Sequence, residues 1–181
     1  MLMCITALSA GCDSATGLTG VDGKPFDLWQ QVENSQATVL LFTRTDCPIS
    51  NRYAPTVRTL CNTYQPRGVD WLLVYVDPKE SPTTIRQHLA EYQYPCSGVH
   101  DPLHSLVKMT GATVTPEAVV FDSRRKIAYR GRIDDLYVSF GKARDAATTH
   151  ELADALEAVL AGKPVAEPAT KAVGCYIGDL E

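Results

Sequence analysis

Residues 37 to 43, ATVLLFT, form a continuous apolar run with β-branched members, and four residues later comes Cys47, followed at once by Pro48. An apolar run without alternation is the pattern of a strand buried on both faces, as in a sheet covered by helices on its two sides. Asp46-Cys47-Pro48 then opens a helix, because proline suits a first turn. Ile49, Tyr53, Val57, Leu60 and Tyr64 fall at helical spacing and mark its core face, and Pro55 within it predicts a kink. A cysteine at such a strand-to-helix junction lies among backbone N–H groups that have no partner inside the helix. Those groups and the helix dipole favour a thiolate, the nucleophile of disulfide exchange and of attack on peroxide.

The pattern continues along the chain. Val21-Asp22-Gly23-Lys24 reads as a turn, and residues 69 to 76 (VDWLLVYV) as a second buried strand. Ser81-Pro82 is a cap and first-turn pair that opens a helix with Ile85, Leu89 and Tyr92 on one face. Asp101-Pro102 is expected to start a short helix closed by Gly111. Residues 117 to 122 and 127 to 132 read as two strands joined at Arg124-Arg125-Lys126, a basic turn. Thr148-Thr149-His150-Glu151 has the spacing of a capping box. It precedes a helix that points Leu152, Leu156, Val159 and Leu160 inward and stops at Gly162 and Pro164. Early alternation of strands and helices predicts parallel pairing through crossovers, and the late hairpin adds antiparallel strands. Residues 21–165 form the expected domain, and 166–181 an irregular tail that carries Cys175.

Composition excludes some functions. A net charge of −4 over 181 residues lacks the basic face that phosphate binding needs, so no nucleic-acid partner is expected. Residues 1–20 read as an export-type leader and linker. Leu8-Ser9-Ala10-Gly11-Cys12 is similar to a bacterial lipoprotein cleavage box, with Ser9 where an aliphatic residue is usual. Export to the periplasm, with a membrane tether through a lipidated Cys12, is one expectation, and a cytoplasmic protein is the alternative.

The six cysteines are Cys4, Cys12, Cys47, Cys61, Cys96 and Cys175. No CxxC pair occurs, which argues against a zinc ribbon. If the chain were cut at Cys12, four thiols would remain, with three complete pairings open. Cys61, on the helix after Cys47, reads as core, and Cys96 as a half-buried small hydrophobe. His100 and His104 are four apart, but Asp101-Pro102 intervenes, so both are expected to face solvent. Arg130, Arg132, Asp134 and Asp135 read equally as local ion pairs or as a polar wall near the thiol. Asp46 would oppose a thiolate by its charge unless it caps the helix.

Strand, cysteine, helix, strand, then Thr115-Pro116 before a hairpin, then a last helix: this order resembles the thioredoxin-like superfamily. The segments DCPISNRYAP, TPEAVVFD, YRGRIDD and AVGCYIG most resemble its redoxin branch, which holds the alkyl hydroperoxide reductase and thiol-specific antioxidant proteins. The resemblance runs from about Gly23 to Gly178. It implies an α/β thioredoxin-like fold with a central mixed β-sheet flanked by helices. It also implies a thiol oxidoreductase with antioxidant activity in cell redox homeostasis, without a cofactor. Cys47 matches the attacking cysteine. Pro116, after Thr115, matches the cis-proline beside it, and only an X–Pro bond readily takes that form.

Two departures narrow the expectation. A dithiol thioredoxin carries CxxC, whereas Ser50 stands at the second position here. The peroxiredoxin pattern Pro-x-x-x-Thr-x-x-Cys would place proline and threonine where Leu40 and Arg44 stand. Disulfide exchange is therefore favoured over peroxidase chemistry, with a disulfide or small-molecule oxidant as substrate and an external thiol as reductant. Cys175, on a mobile tail, could resolve Cys47 or serve only in packing. The alternative is a binding module without turnover, for copper delivery or partner docking. The C-x-x-x-C of copper-delivery relatives is absent, with Asn51 at its second position.

Overall fold

The computed structural model describes residues 18–178. The leader-like and lipobox-like segment through Cys12 lies outside the described residues. Six strands make the main sheet, in the order β1-β4-β3-β2-β6-β7. They are β1 (Thr19–Gly20), β2 (Ala37–Thr43), β3 (Val69–Tyr75), β4 (Ser97–His100), β6 (Glu117–Asp122) and β7 (Ile127–Gly131). A short β5 (Val114–Thr115) precedes β6, and β8 (Tyr137–Ser139) and β9 (Lys142–Ala143) form a separate antiparallel pair after β7. β2 pairs in parallel with β3, and β3 with β4, while β6 joins β2 and β7 antiparallel. The sheet is mixed, as the order of elements predicts.

β2 lies at the centre, and its uninterrupted hydrophobicity follows from its two neighbours. Val39 and Leu41 enter one core with residues of α3 (Ala54–Tyr64) and α6 (Glu151–Leu160). Leu40 and Phe42 enter a second core on the opposite face, with Leu28 and Val32 of α1 (Leu28–Glu33) and Leu106 of α5 (Ser105–Thr110). A third, smaller cluster seats Ile85 of α4 (Pro82–Glu91) on Leu73 and Tyr75 of β3. Each fully buried aliphatic side chain contributes about 1.5–3 kcal/mol relative to exposure.

Ser81 caps α4 by accepting from the Thr84 amide, as its sequence predicts. The helix after Cys47 departs from the expected single kinked rod. α2 (Pro48–Arg52) ends at Tyr53, and α3 begins at Ala54 with Pro55 in its first turn. Pro55 has no N–H to return to the preceding turn, so it starts a new helix rather than bending an old one.

Other departures have similar local causes. α5 starts at Ser105 rather than at Asp101-Pro102, because the Asp101 carboxylate accepts from the amides of Ser105, Leu106 and Val107 and so sits ahead of the first turn. The capping box at Thr148 does not form. Asp135 takes the Thr148 amide and hydroxyl and the Thr149 amide, and Glu151 turns to Arg132. α1 has no counterpart among the expected elements. Its cap, Asp27, accepts from the amides of Trp29 and Gln30.

The largest departure is the chain after α6, which is docked rather than irregular. Arg130 N–H donates to Pro168 O at 2.9 Å, and Thr170 N–H to Arg130 O at 3.0 Å. Thr170 Oγ1 lies 2.6 Å from Tyr129 Oη. β10 (Cys175–Tyr176) then pairs antiparallel with β5, setting Cys175 opposite Thr115. Ile177 enters the second core.

Candidate active site

Cys47 is itself the N-cap of α2. Its backbone is extended, and its Sγ accepts from the Ser50 amide at 3.5 Å. The thiol is buried and donates to Thr115 O at 3.1 Å. Thr115-Pro116 is cis. The expected site residues Cys47, Thr115, Pro116 and Cys175 therefore converge where β2 ends, β5 ends and β10 crosses. Cys47 Sγ and Cys175 Sγ are 2.7 Å apart. That is within about 1 Å of the length of a disulfide bond, ~2.05 Å.

Gly174 makes this crossing work. A Cβ at that position would overlap the Thr115 carbonyl. Glycine lets the tail backbone pass close enough for Cys175 to reach Cys47. The mobile-tail expectation for Cys175 is thus corrected: the thiol is brought to the site by strand pairing, with a partly exposed side chain.

The two sulfurs are unequal. Burial disfavours a Cys47 thiolate, but hydrogen bonds from the Cys175 thiol, from Ser50 and from Thr115 outweigh it and hold the Cys47 pKa below the usual thiol value. Among the described residues, the Ser50 and Thr115 hydroxyls are buried and committed to no other hydrogen bond, so both can serve the sulfur. Cys175 is pushed up to about 12, first by burial and then by its interaction with Cys47. A proton shared between the two resides on Cys175.

Residues with no supporting role expected from the sequence hold this corner in place. Asn51 Nδ2 donates to Thr45 O at 2.9 Å, and its Oδ1 lies 2.9 Å from His88 Nε2; His88 Nδ1 lies 2.9 Å from Tyr75 Oη. Glu80 accepts from the Thr45 amide at 2.7 Å. Buried Glu117 accepts from the amides of Thr113 and Val114, fixing β5 from the other side, and lies 3.6 Å from Arg130. Asp46 does not cap the helix; it pairs with Arg44 at 2.9 Å. For Asn51, Glu80 and His88 the signal is tertiary, since each finds a partner distant in sequence.

The charged patch resolves into local pairs. Arg132 binds Glu151, Arg144 binds Asp135, and Tyr53 Oη donates to Asp134 at 2.6 Å. His100 and His104 are buried rather than solvent-facing. Their Nε2 atoms lie 3.0 Å from Asp77 O and 2.7 Å from Val76 O, tying β4 and α5 to the end of β3. Among the described residues, no three His, Cys, Asp or Glu side chains cluster as a metal site. Among the same residues, no helix is long and apolar enough to cross a membrane.

Comparison with known proteins accords with this geometry. The AhpC/TSA family model matches residues 14–130, more than half of the chain. The chain belongs to the AhpC/TSA family. The match stops short of Cys175. No curated protein matches. Among solved structures, an uncharacterized conserved protein from Geobacillus kaustophilus is 28% identical, with a TM-score of 0.77 over 90% of this chain and 87% of that one. A hypothetical protein from Sinorhizobium meliloti is 24% identical, with a TM-score of 0.78 over 95% of each chain. A secreted Mycobacterium tuberculosis disulfide oxidoreductase homologous to DsbE of E. coli shares the fold at 14% identity, with a TM-score of 0.56 over 84% of this chain and 99% of that one. The AhpC/TSA member is thus a thioredoxin-like redoxin with thiol–disulfide oxidoreductases among its fold neighbours.

Proposed function

We propose that this AhpC/TSA protein is a thiol–disulfide oxidoreductase in which Cys47 attacks and Cys175 resolves. The contact between the two sulfurs, 2.7 Å, carries this reading. The Cys47 thiolate attacks a substrate disulfide, forms a mixed disulfide and expels one substrate thiolate. Cys175 then gives up its proton, attacks Cys47 Sγ and expels the second substrate thiolate. Two electrons pass to the substrate, and a Cys47–Cys175 disulfide remains. An external thiol reductant restores both thiols. The pair does the work of a CxxC motif, with the second cysteine supplied by the tail.

Cys47 is buried beneath Cys175, so the first attack requires β10 to lift. β10 has two residues and one neighbouring strand, so few backbone hydrogen bonds must break for it to lift. A groove of about 530 Å³ beside Pro48, lined by Ile49, Arg52, Tyr137, Phe140, Arg144 and Asp145, offers a protein substrate a seat with both aromatic and charged contacts, and Phe140 is 70% exposed. A protein disulfide is therefore the favoured substrate. Where Arg44 stands in place of the peroxidatic threonine, its guanidinium is engaged by Asp46 and Asp77, so peroxide chemistry has less support. Export, with a tether through Cys12, suits a disulfide enzyme and is part of the same proposal.

The test is a single turnover with a protein disulfide and no reductant. Substrate thiol should appear in step with a Cys47–Cys175 crosslink, one bond per chain. Release of substrate thiol without that crosslink would reject Cys175 as the resolving residue. No release at all would reject the activity.

A further inference from the structure

We propose that Cys61 and Cys96 are a second disulfide site, which staples α3 to the start of β4 and takes no part in turnover at Cys47. Arg58, Cys61 and Gln65 follow one another along one face at the end of α3. Arg58 Nη1 donates to Tyr92 O at 3.0 Å, and Gln65 Nε2 donates to Pro95 O at 3.0 Å. These two bonds, on either side of Cys61, press residues 92–95 onto the helix. Cys96 is the next residue, and it packs against the core cluster that contains Cys61. Cys96 is the strongest influence on the Cys61 thiol, as expected of neighbouring sulfurs. Both are free thiols in this structure, Cys61 fully buried and Cys96 partly buried.

The exposures set the order of events. A low-molecular-weight disulfide, RSSR, meets Cys96 first. The Cys96 thiolate breaks the S–S bond, forms Cys96–S–SR and releases RS⁻. Cys61 then attacks Cys96 Sγ, its proton passing to the departing second RS⁻. The sum is two protein thiols plus RSSR giving one protein disulfide plus two RSH, with the reagent reduced by two electrons. The Cys61 thiol is raised well above the usual range by the neighbouring Cys96 and by burial, so this second step is the slow one.

The full chain is equilibrated with oxidised glutathione, denatured, alkylated with iodoacetamide and digested without reductant. The expected result is a linked pair of peptides carrying Cys61 and Cys96, with alkylation of Cys61 reduced at least ten-fold from that of the reduced protein. In the Cys96→Ser chain, Cys61 should be fully alkylated. In the Cys47→Ser/Cys175→Ser chain, the Cys61–Cys96 link should form as in wild type, which separates this proposal from the reading of Cys47. Cys61 left fully alkylated in wild type, with glutathione retained on Cys96, would overturn the proposal. A crosslink from Cys61 to any other cysteine would overturn it too.

Discussion

Cys47 and Cys61 sit on consecutive helices of one stretch of chain, each buried, each against a second thiol, yet their sulfurs are driven in opposite directions. Cys47 caps a helix, where the Ser50 amide has no carbonyl partner and turns to the sulfur. Cys61 lies inside α3, where backbone N–H groups serve the helix ladder, and its thiol is held well up by Cys96 and by burial. Burial alone raises a thiol's pKa; open backbone and hydroxyl donors reverse the sign. Position on the helix, more than burial, separates the sulfur favoured as a thiolate from the one held protonated.

The strongest way to break the comparison is to delete each cysteine. Cys47→Ala should lower disulfide turnover by at least about 10³-fold, since the nucleophile is lost. Cys61→Ala should leave turnover unchanged, as read by a disulfide reductase assay of both chains. Equal losses would dissolve the distinction.

Next in size is the crossing at Gly174. Gly174→Ala drives a methyl group into the Thr115 carbonyl and pushes Cys175 off Cys47. Turnover should fall by about 10²-fold, as expected for misplacement of a reacting group by an ångström. Alkylation of Cys47 should meanwhile quicken, because the covering strand has lifted. Slower alkylation would contradict the role given to the tail.

The pH dependence sharpens the same point. The Cys47 pKa is depressed, so its thiolate, and its rate of alkylation, should rise with pH through a midpoint below that of a free thiol, about 8.5. Cys175, pushed up to about 12, should stay protonated throughout that range. Cys175→Ala removes one donor and should move the Cys47 midpoint upward. A midpoint unchanged by that substitution would remove Cys175 from the electrostatics of the site.

The smallest effect concerns the support beneath the loop. Asn51→Ala cuts the link between Thr45 and His88 and should cost about 1 kcal/mol in denaturant unfolding, with Cys47 still reactive.

Much of this was legible in the sequence. The run at residues 37–43 placed β2, because a strand buried on both faces cannot alternate. The junction at Cys47-Pro48 marked the proposed nucleophile, and Thr115-Pro116 the loop beside it. The seating of Cys175 was not legible. It depends on two backbone pairings with β5 and on a missing Cβ at Gly174, and neither has a periodic signature. Cys61 read as core, which it is, but its neighbour Cys96 is brought to it by Arg58 and Gln65 across a gap in sequence. His100 and His104 read as solvent-facing because Asp101-Pro102 separates them, so that they need not converge. Their partners are carbonyls at the end of β3, which only the parallel sheet brings near.

The central claim, that Cys47 attacks and Cys175 resolves, is tested most directly by trapping. Cys175→Ala and Cys47→Ala chains are each mixed with a protein disulfide, acid-quenched and separated without reductant. The Cys175→Ala chain should accumulate a stable mixed disulfide, mapped to Cys47, and the Cys47→Ala chain should accumulate none. A mixed disulfide on Cys175 in the Cys47→Ala chain, with none on Cys47 in the other, would contradict the account.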